Sequence, residues 1–138
     1  MIVDILEYLN IEYIGDKYKE CFDCLIKYSE SPIHELRQAS VYGIGVCAEQ
    51  YSNMFEATGL DAVMASFKQT QGDAPREDYM HALDNSISAL GKVLKHVEFN
   101  EEAFLFWLSK MPVKLDYQEC KAMNKFLSEI IELSLIHI

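Results

Sequence analysis

Residues 35 to 48 carry a helical stripe in which most of the packing positions are small. Leu36, Ala39, Ser40, Gly43, Ile44, Cys47 and Ala48 recur at the three- and four-residue spacing of one helix face. Gly43 and Gly45 lie inside that helix, where each glycine costs roughly 1 kcal/mol relative to alanine. Close approach of neighbouring helices is what offsets such a cost, so the stretch predicts the inner helix of a helical hairpin, packed on both sides. Gly43-Ile44-Gly45 lacks the third glycine and the preceding strand of a dinucleotide loop, which leaves packing as its reading.

The remainder of the chain suits the same architecture. It has 138 residues, half of them hydrophobic, and only six glycines and three prolines. A chain of this size can bury about two thirds of its unfolded surface, so one all-α domain with a genuine core is expected. The formal charge of -10, from 22 acidic and 12 basic residues, argues against a nucleic-acid surface, which needs clustered Lys and Arg. A basic protein partner fits better. Cys21, Cys24, Cys47 and Cys120 fall on expected helix faces and form no disulfide framework, which points to a reducing compartment. No basic-then-apolar leader opens the chain, and no apolar run reaches the roughly 20 residues of a membrane span. A soluble intracellular protein without membrane contact is expected.

In chain order, residues 2 to 9 read as a short amphipathic helix without a cap, as though the chain began inside a longer one. A helix over about 16 to 29 places Tyr18, Cys21, Phe22, Leu25 and Ile26 on one face. Ser31 suits an N-cap and Pro32 the first helical position of the central helix, which continues to about Tyr51. The next arm covers about 55 to 69, with Leu60, Val63, Met64 and Phe67 inward. After the polar loop around Gly72, a long helix from Pro75 to about Val97 carries Ala82, Asn85, Ser86, Ala89, Leu90, Val93 and Leu94 on its packed face. A shorter helix follows over Glu101 to Lys110. Met111-Pro112 interrupts it, and a last helix runs from about Asp116, a plausible cap, to Leu133.

The long helices repeat. Moving 35 to 48 forward by 46 residues sets Gly45 on Gly91, Gly43 on Ala89 and Cys47 on Val93, and a shift of 83 sets Ala39 on Ala122 and Ile44 on Leu127. The successive spacings, 46 and 37 residues, bracket the roughly 40 to 47 of HEAT and armadillo units. The expected fold is an α-α superhelix, a HEAT-type solenoid of about three helical pairs preceded by a partial helix. Its units are a partial repeat over 1–11, repeats over 12–52, 53–98 and 99–133, and a tail over 134–138 that fits no repeat.

Three stretches carry a resemblance. Leu36 to Gly45 resembles the inner helix of a HEAT repeat in the karyopherin-β (importin-β) family of nuclear transport receptors. Asp84 to Lys92 resembles a later Asp/Glu-Asn-x-x-x-Ala-x-Gly helix of those receptors. Trp107 to Pro112, with Asp116 and Glu119 following, resembles their Trp-Leu-x-x-Leu-Pro-x-x-x-Asp-x-x-Glu passage. The likeness runs from about residue 2 to Glu132, is nearest to the importin beta-3 branch, and corresponds to a piece near the C-terminal end of a much longer receptor. Met111 stands where the family has leucine, Leu115 where it has an acidic residue, and the tail from Leu133 no longer matches. The resemblance implies a carrier shuttling between cytoplasm and nucleus. Such a carrier binds protein cargo bearing nuclear localisation signals on the surface lined by the second helix of each pair, binds phenylalanine-glycine repeats of the nuclear pore on the other side, and releases cargo to the GTPase Ran. Ran contacts belong to repeats absent from this chain.

On the residues themselves, Glu35, Gln38, Tyr42 and Glu49 lie off the core stripe, and Asp84 and Ser88 occupy related places on the later helix. An acidic, partly aromatic face of this kind could take a Lys- or Arg-rich cargo segment through charge pairing and cation–π contact. Arg37, Asn85 and Trp107 read as structural residues. Arg37 has the planar fork suited to bridging adjacent repeats, Asn85 an amide able to hold a loop backbone, and Trp107 the bulk of a core side chain. Cys21-x-x-Cys24 has no second pair and no βαβ context, and His34, His81, His96 and His137 fit no metalloprotease frame. No catalytic constellation, cofactor or metal is expected. Three functions are therefore weighed: a fragment of a nuclear import receptor, a generic HEAT scaffold in another assembly, and a small helical enzyme using the Cys pair or a His. A truncated solenoid would also expose faces its neighbours cover, so self-association is expected.

Overall fold

The computed structural model describes residues 3, 14–75 and 77–136. Among them the chain forms α1 (Lys17–Tyr28), α2 (His34–Gln50), α3 (Thr58–Gln71), α4 (Tyr79–Leu94), α5 (Glu101–Lys110) and α6 (Tyr117–Ile136), with a short 3-10 turn at Ser52–Met54 and no strand. The protein is all-α. The expected helix over 2 to 9 lies, Val3 apart, outside the described residues, as does the end of the tail.

Local chemistry explains the helix ends. Asn100 caps α5, its Oδ1 accepting the Ala103 N–H at 2.9 Å, with Glu101 and Glu102 favourably placed in the first turn. Asp116 caps α6, its Oδ1 accepting the Glu119 N–H at 3.0 Å. The start of α2 departs from expectation. Ser31 Oγ accepts the Ile33 N–H at 3.1 Å, and the helix begins two residues beyond Pro32, with Ile33 as its cap residue. The Ser31 carbonyl accepts from Arg37 Nη1 at 2.8 Å, which holds this segment in a turn ahead of the helix.

Helix α2 lies between α1 and α4 and also touches α3. Gly43 to Ala48 are all buried, so the inner half of α2 is covered on every side. Its two glycines face opposite neighbours. A Cβ at Gly43 would meet Leu25 Cδ2 of α1 at 2.8 Å and Val3 Cγ2 at 3.0 Å, whereas one at Gly45 would meet the Ala89 Cα of α4 at 3.3 Å. Gly91 on α4 lies in turn against Met123 of α6 and Trp107 of α5. Two expected core positions are corrected: Leu36 and Ala39 are exposed. In that turn Arg37 points inward instead, because Ser31, Thr70 and Asp73 supply hydrogen-bond acceptors for its guanidinium.

Aromatic rings fill the core at the joints between helices. Tyr18 and Phe22 of α1 meet Tyr51 and Phe55 around the end of α2. Phe67 of α3 meets Phe106 of α5 edge to face at 5.2 Å. Helices α5 and α6 each pack on α4 more closely than on one another, and Trp107 and Phe126, with ring centroids 5.4 Å apart, join them. Adjacent helices, none of which could bury its apolar side alone, thus share one core.

Candidate functional site

The residues expected to face a partner fall into two groups. Glu35 and Glu49 are exposed near the two ends of α2, Glu35 with its carboxylate 2.9 Å from His34 Nε2. Gln38 and Tyr42 between them are half-buried. Gln38 Nε2 donates to Thr70 Oγ1 at 3.1 Å, which turns its amide toward α3. Tyr42 leans toward α4, where Lys92 Nζ stands 5.6 Å from its ring centroid. One face of that ring thus already holds a cation.

Asp84 and Ser88 do not lie on an open face. Asp84 is 3% exposed and accepts two backbone N–H groups of the loop after α5, Lys114 N at 3.0 Å and Leu115 N at 2.5 Å. Ser88, 4% exposed, donates its hydroxyl proton to Glu119 Oε2, and Lys92 Nζ donates to Glu119 Oε1 at 3.1 Å. Since α4 is packed on both flanks, side chains one helical step from its apolar stripe meet α6 and the preceding loop before they meet solvent. Holding the loop backbone was expected of Asn85 and belongs instead to its neighbour Asp84. Asn85 is half-buried and borders a small cleft with Tyr42, Ser88, Lys92, Asp116 and Glu119, at the seam of α2, α4 and α6.

Arg37 joins the first two hairpins. It is 1% exposed, its Nε donates to Thr70 Oγ1 at 3.2 Å, and its Nη2 pairs with Asp73 beyond the end of α3. Trp107 is fully buried and its Nε1 donates to the Ile87 carbonyl of α4 at 3.2 Å. Thr70, Asp73, Lys92 and Glu119 complete these ties and were not singled out as partners from the sequence. Their separations from the groups they bond, 27 to 36 residues, leave no local signal.

Among the described residues no group of three or more His, Cys, Asp or Glu side chains is placed to hold a metal ion. Cys21 and Cys24 are partly exposed on α1, and burial raises the Cys21 thiol above its ordinary value. Burial pushes the fully enclosed Cys47 thiol up to about 12. The Tyr18 hydroxyl, buried beside Cys47, is raised well above the ordinary tyrosine value by the same desolvation. Burial lowers His96. The raised values keep the Cys21 and Cys47 thiols and the Tyr18 hydroxyl protonated, so none of these three is activated as a nucleophile, whereas the lowered value of His96 favours its neutral imidazole. No described helix is long and apolar enough to cross a membrane.

No protein-family model matches the chain, and no solved structure matches it.

Proposed function

We propose that this chain is a segment of a HEAT-type solenoid that binds protein partners, and that it belongs to a nuclear import receptor of the karyopherin-β kind. The observation that carries the reading is the side-by-side stacking of α2 on α4 at Gly45 and Ala89, with Arg37 tying α2 to the end of α3 in the following hairpin. Successive hairpins stacked on their neighbours and stapled between units are how repeat arrays build extended binding surfaces. The resemblance of Leu36 to Gly45, Asp84 to Lys92 and Trp107 to Glu119 to receptor helices supplies the particular class. In this reading the exposed carboxylates Glu35 and Glu49, in a chain of net charge -10, attract basic cargo segments, and Ran acts only on the full-length receptor.

The test is fluorescence anisotropy with a labelled Lys/Arg-rich localisation peptide and the intact chain. Glu35→Lys with Glu49→Lys should weaken binding about tenfold and flatten its salt dependence. Unchanged affinity in that variant would sink the cargo reading. A generic HEAT scaffold in another assembly is the second reading. One observation favours it: Asp84 and Ser88, counted among the cargo-facing residues, are spent on internal bonds. It expects no preference for localisation peptides over other basic peptides.

A further inference from the structure

We propose that the cleft between α3, α4 and α5 is a docking site for an acidic peptide segment carrying one bulky apolar side chain. This surface is separate from the α2 carboxylates and opposite to them in charge.

The cavity encloses about 230 Å³, below the roughly 300–1,000 Å³ of a typical small-molecule site. Its size suits a single inserted side chain. Phe67 of α3 and Leu83 and Ile87 of α4 form an apolar floor, while Met80 and Met111 flank it. Methionine side chains are unbranched and polarisable, so such walls adjust to the shape of what enters.

Charge selects the occupant. Lys110 and Lys114 line the cleft, and neither forms an ion pair with a carboxylate among the described residues. Lys110 Nζ stands 5.3 Å from the Phe106 ring centroid. The one acid in the lining, Asp84, has its two oxygens occupied by the Lys114 and Leu115 N–H groups. In a chain with 22 acidic and 12 basic residues, an apolar cleft edged by unpaired lysines is complementary to an acidic amphipathic segment and repels a basic one.

The experiment uses the full chain and a fluorescein-labelled peptide of alternating Asp and Glu around one central leucine. Saturable binding is expected, weakened at least about tenfold by Lys110→Glu with Lys114→Glu, by Leu→Ser in the peptide, and by raising salt from about 50 to about 300 mM. Both lysines reach solvent, and circular dichroism with Trp107 fluorescence checks that the variant is folded. Met80→Glu, at the exposed rim, provides a second variant and should weaken binding as well. Four results would overturn the proposal: no binding at about 1 mM chain, affinity unchanged in both variants, displacement of the labelled acidic peptide from the chain by a neutral phenylalanine-glycine or a basic peptide as effective as displacement by the unlabelled acidic one, or a concentration-dependent mass increase abolished by the lysine reversal. The last would give the cleft to a second copy of this chain.

Discussion

Gly45 of α2 and Ala89 of α4 meet backbone to backbone: a Cβ on Gly45 would lie 3.3 Å from the Ala89 Cα and 3.4 Å from its Cβ. This contact sets the distance between the first two hairpins. Gly45→Ala should stay within about 1 kcal/mol of the parent, because the helix-propensity gain offsets the tight contact. Gly45→Val adds methyls with nowhere to go and should cost about 2 kcal/mol or more. Urea melts followed by the fluorescence of Trp107, the chain's one tryptophan, measure both, and a neutral Gly45→Val would show that the helices are not in close contact.

Arg37 is buried with four of its neighbours' groups depending on it: the Ser31 carbonyl, the Thr70 hydroxyl, the Asp73 carboxylate and, through Thr70, the Gln38 amide. Arg37→Ala takes a buried guanidinium away from three acceptors, the enclosed Thr70 hydroxyl among them, and should cost about 2–3 kcal/mol. Arg37→Lys should recover little of it, since an ammonium cannot span three acceptors in the fork geometry. Equal stability of Arg37→Lys and the parent in denaturant titration would refute this.

Asp84 bonds two consecutive N–H groups across the turn that joins α5 to α6. Asp84→Asn keeps the shape but replaces one acceptor oxygen with a donor aimed at an N–H. The expected loss is about 1–3 kcal/mol. Amide exchange should rise first at Lys114 and Leu115, and protection retained there would contradict the assignment.

Cys47 links stability to alkaline pH. Its folded value of about 12 lies above the ordinary thiol value of 9.0, so above pH 9 the unfolded chain sheds a proton that the folded chain keeps. Stability is therefore full below pH 9 and falls by about 1.4 kcal/mol per pH unit as pH climbs toward 12. The raised Tyr18 hydroxyl acts in the same direction above pH 10. Cys47→Ala should lessen the slope of melting temperature against pH between 9 and 12. A slope unaltered by that change would assign the alkaline loss to Tyr18 or to other groups.

The Tyr18 hydroxyl is buried without a full hydrogen bond. Because an unsatisfied buried hydroxyl carries its desolvation cost uncompensated, Tyr18→Phe should leave stability unchanged or raise it by about 1 kcal/mol. A fall in the thermal midpoint would mean that the hydroxyl has a partner that matters.

Much of the helical order was legible in the chain. The apolar spacing of Tyr18, Phe22 and Leu25, of Leu60, Val63 and Phe67, and of Ala82, Ala89 and Val93 places helices where they form, because a packed helix must present one side to its neighbours. The small residues of α2 announced close packing on two sides, and Gly43 and Gly45 each serve one of them. The face assignments were less legible where a polar residue sits one step from an apolar stripe. Spacing alone made Asp84 and Ser88 solvent-facing and Leu36 buried, and the structure reverses all three.

What the sequence determined by itself is the all-α class, the helix boundaries to within a few residues, and the dense packing around 43 to 48. These follow from short-range preferences written into neighbouring residues. What only the tertiary structure decided is which polar groups are used internally: Arg37 with Asp73, Asp84 with the loop at Lys114, and Glu119 with Ser88 and Lys92. Each joins residues about thirty positions apart. Whether a charged side chain meets solvent or a partner depends on what a distant segment places beside it, and no local pattern carries that information.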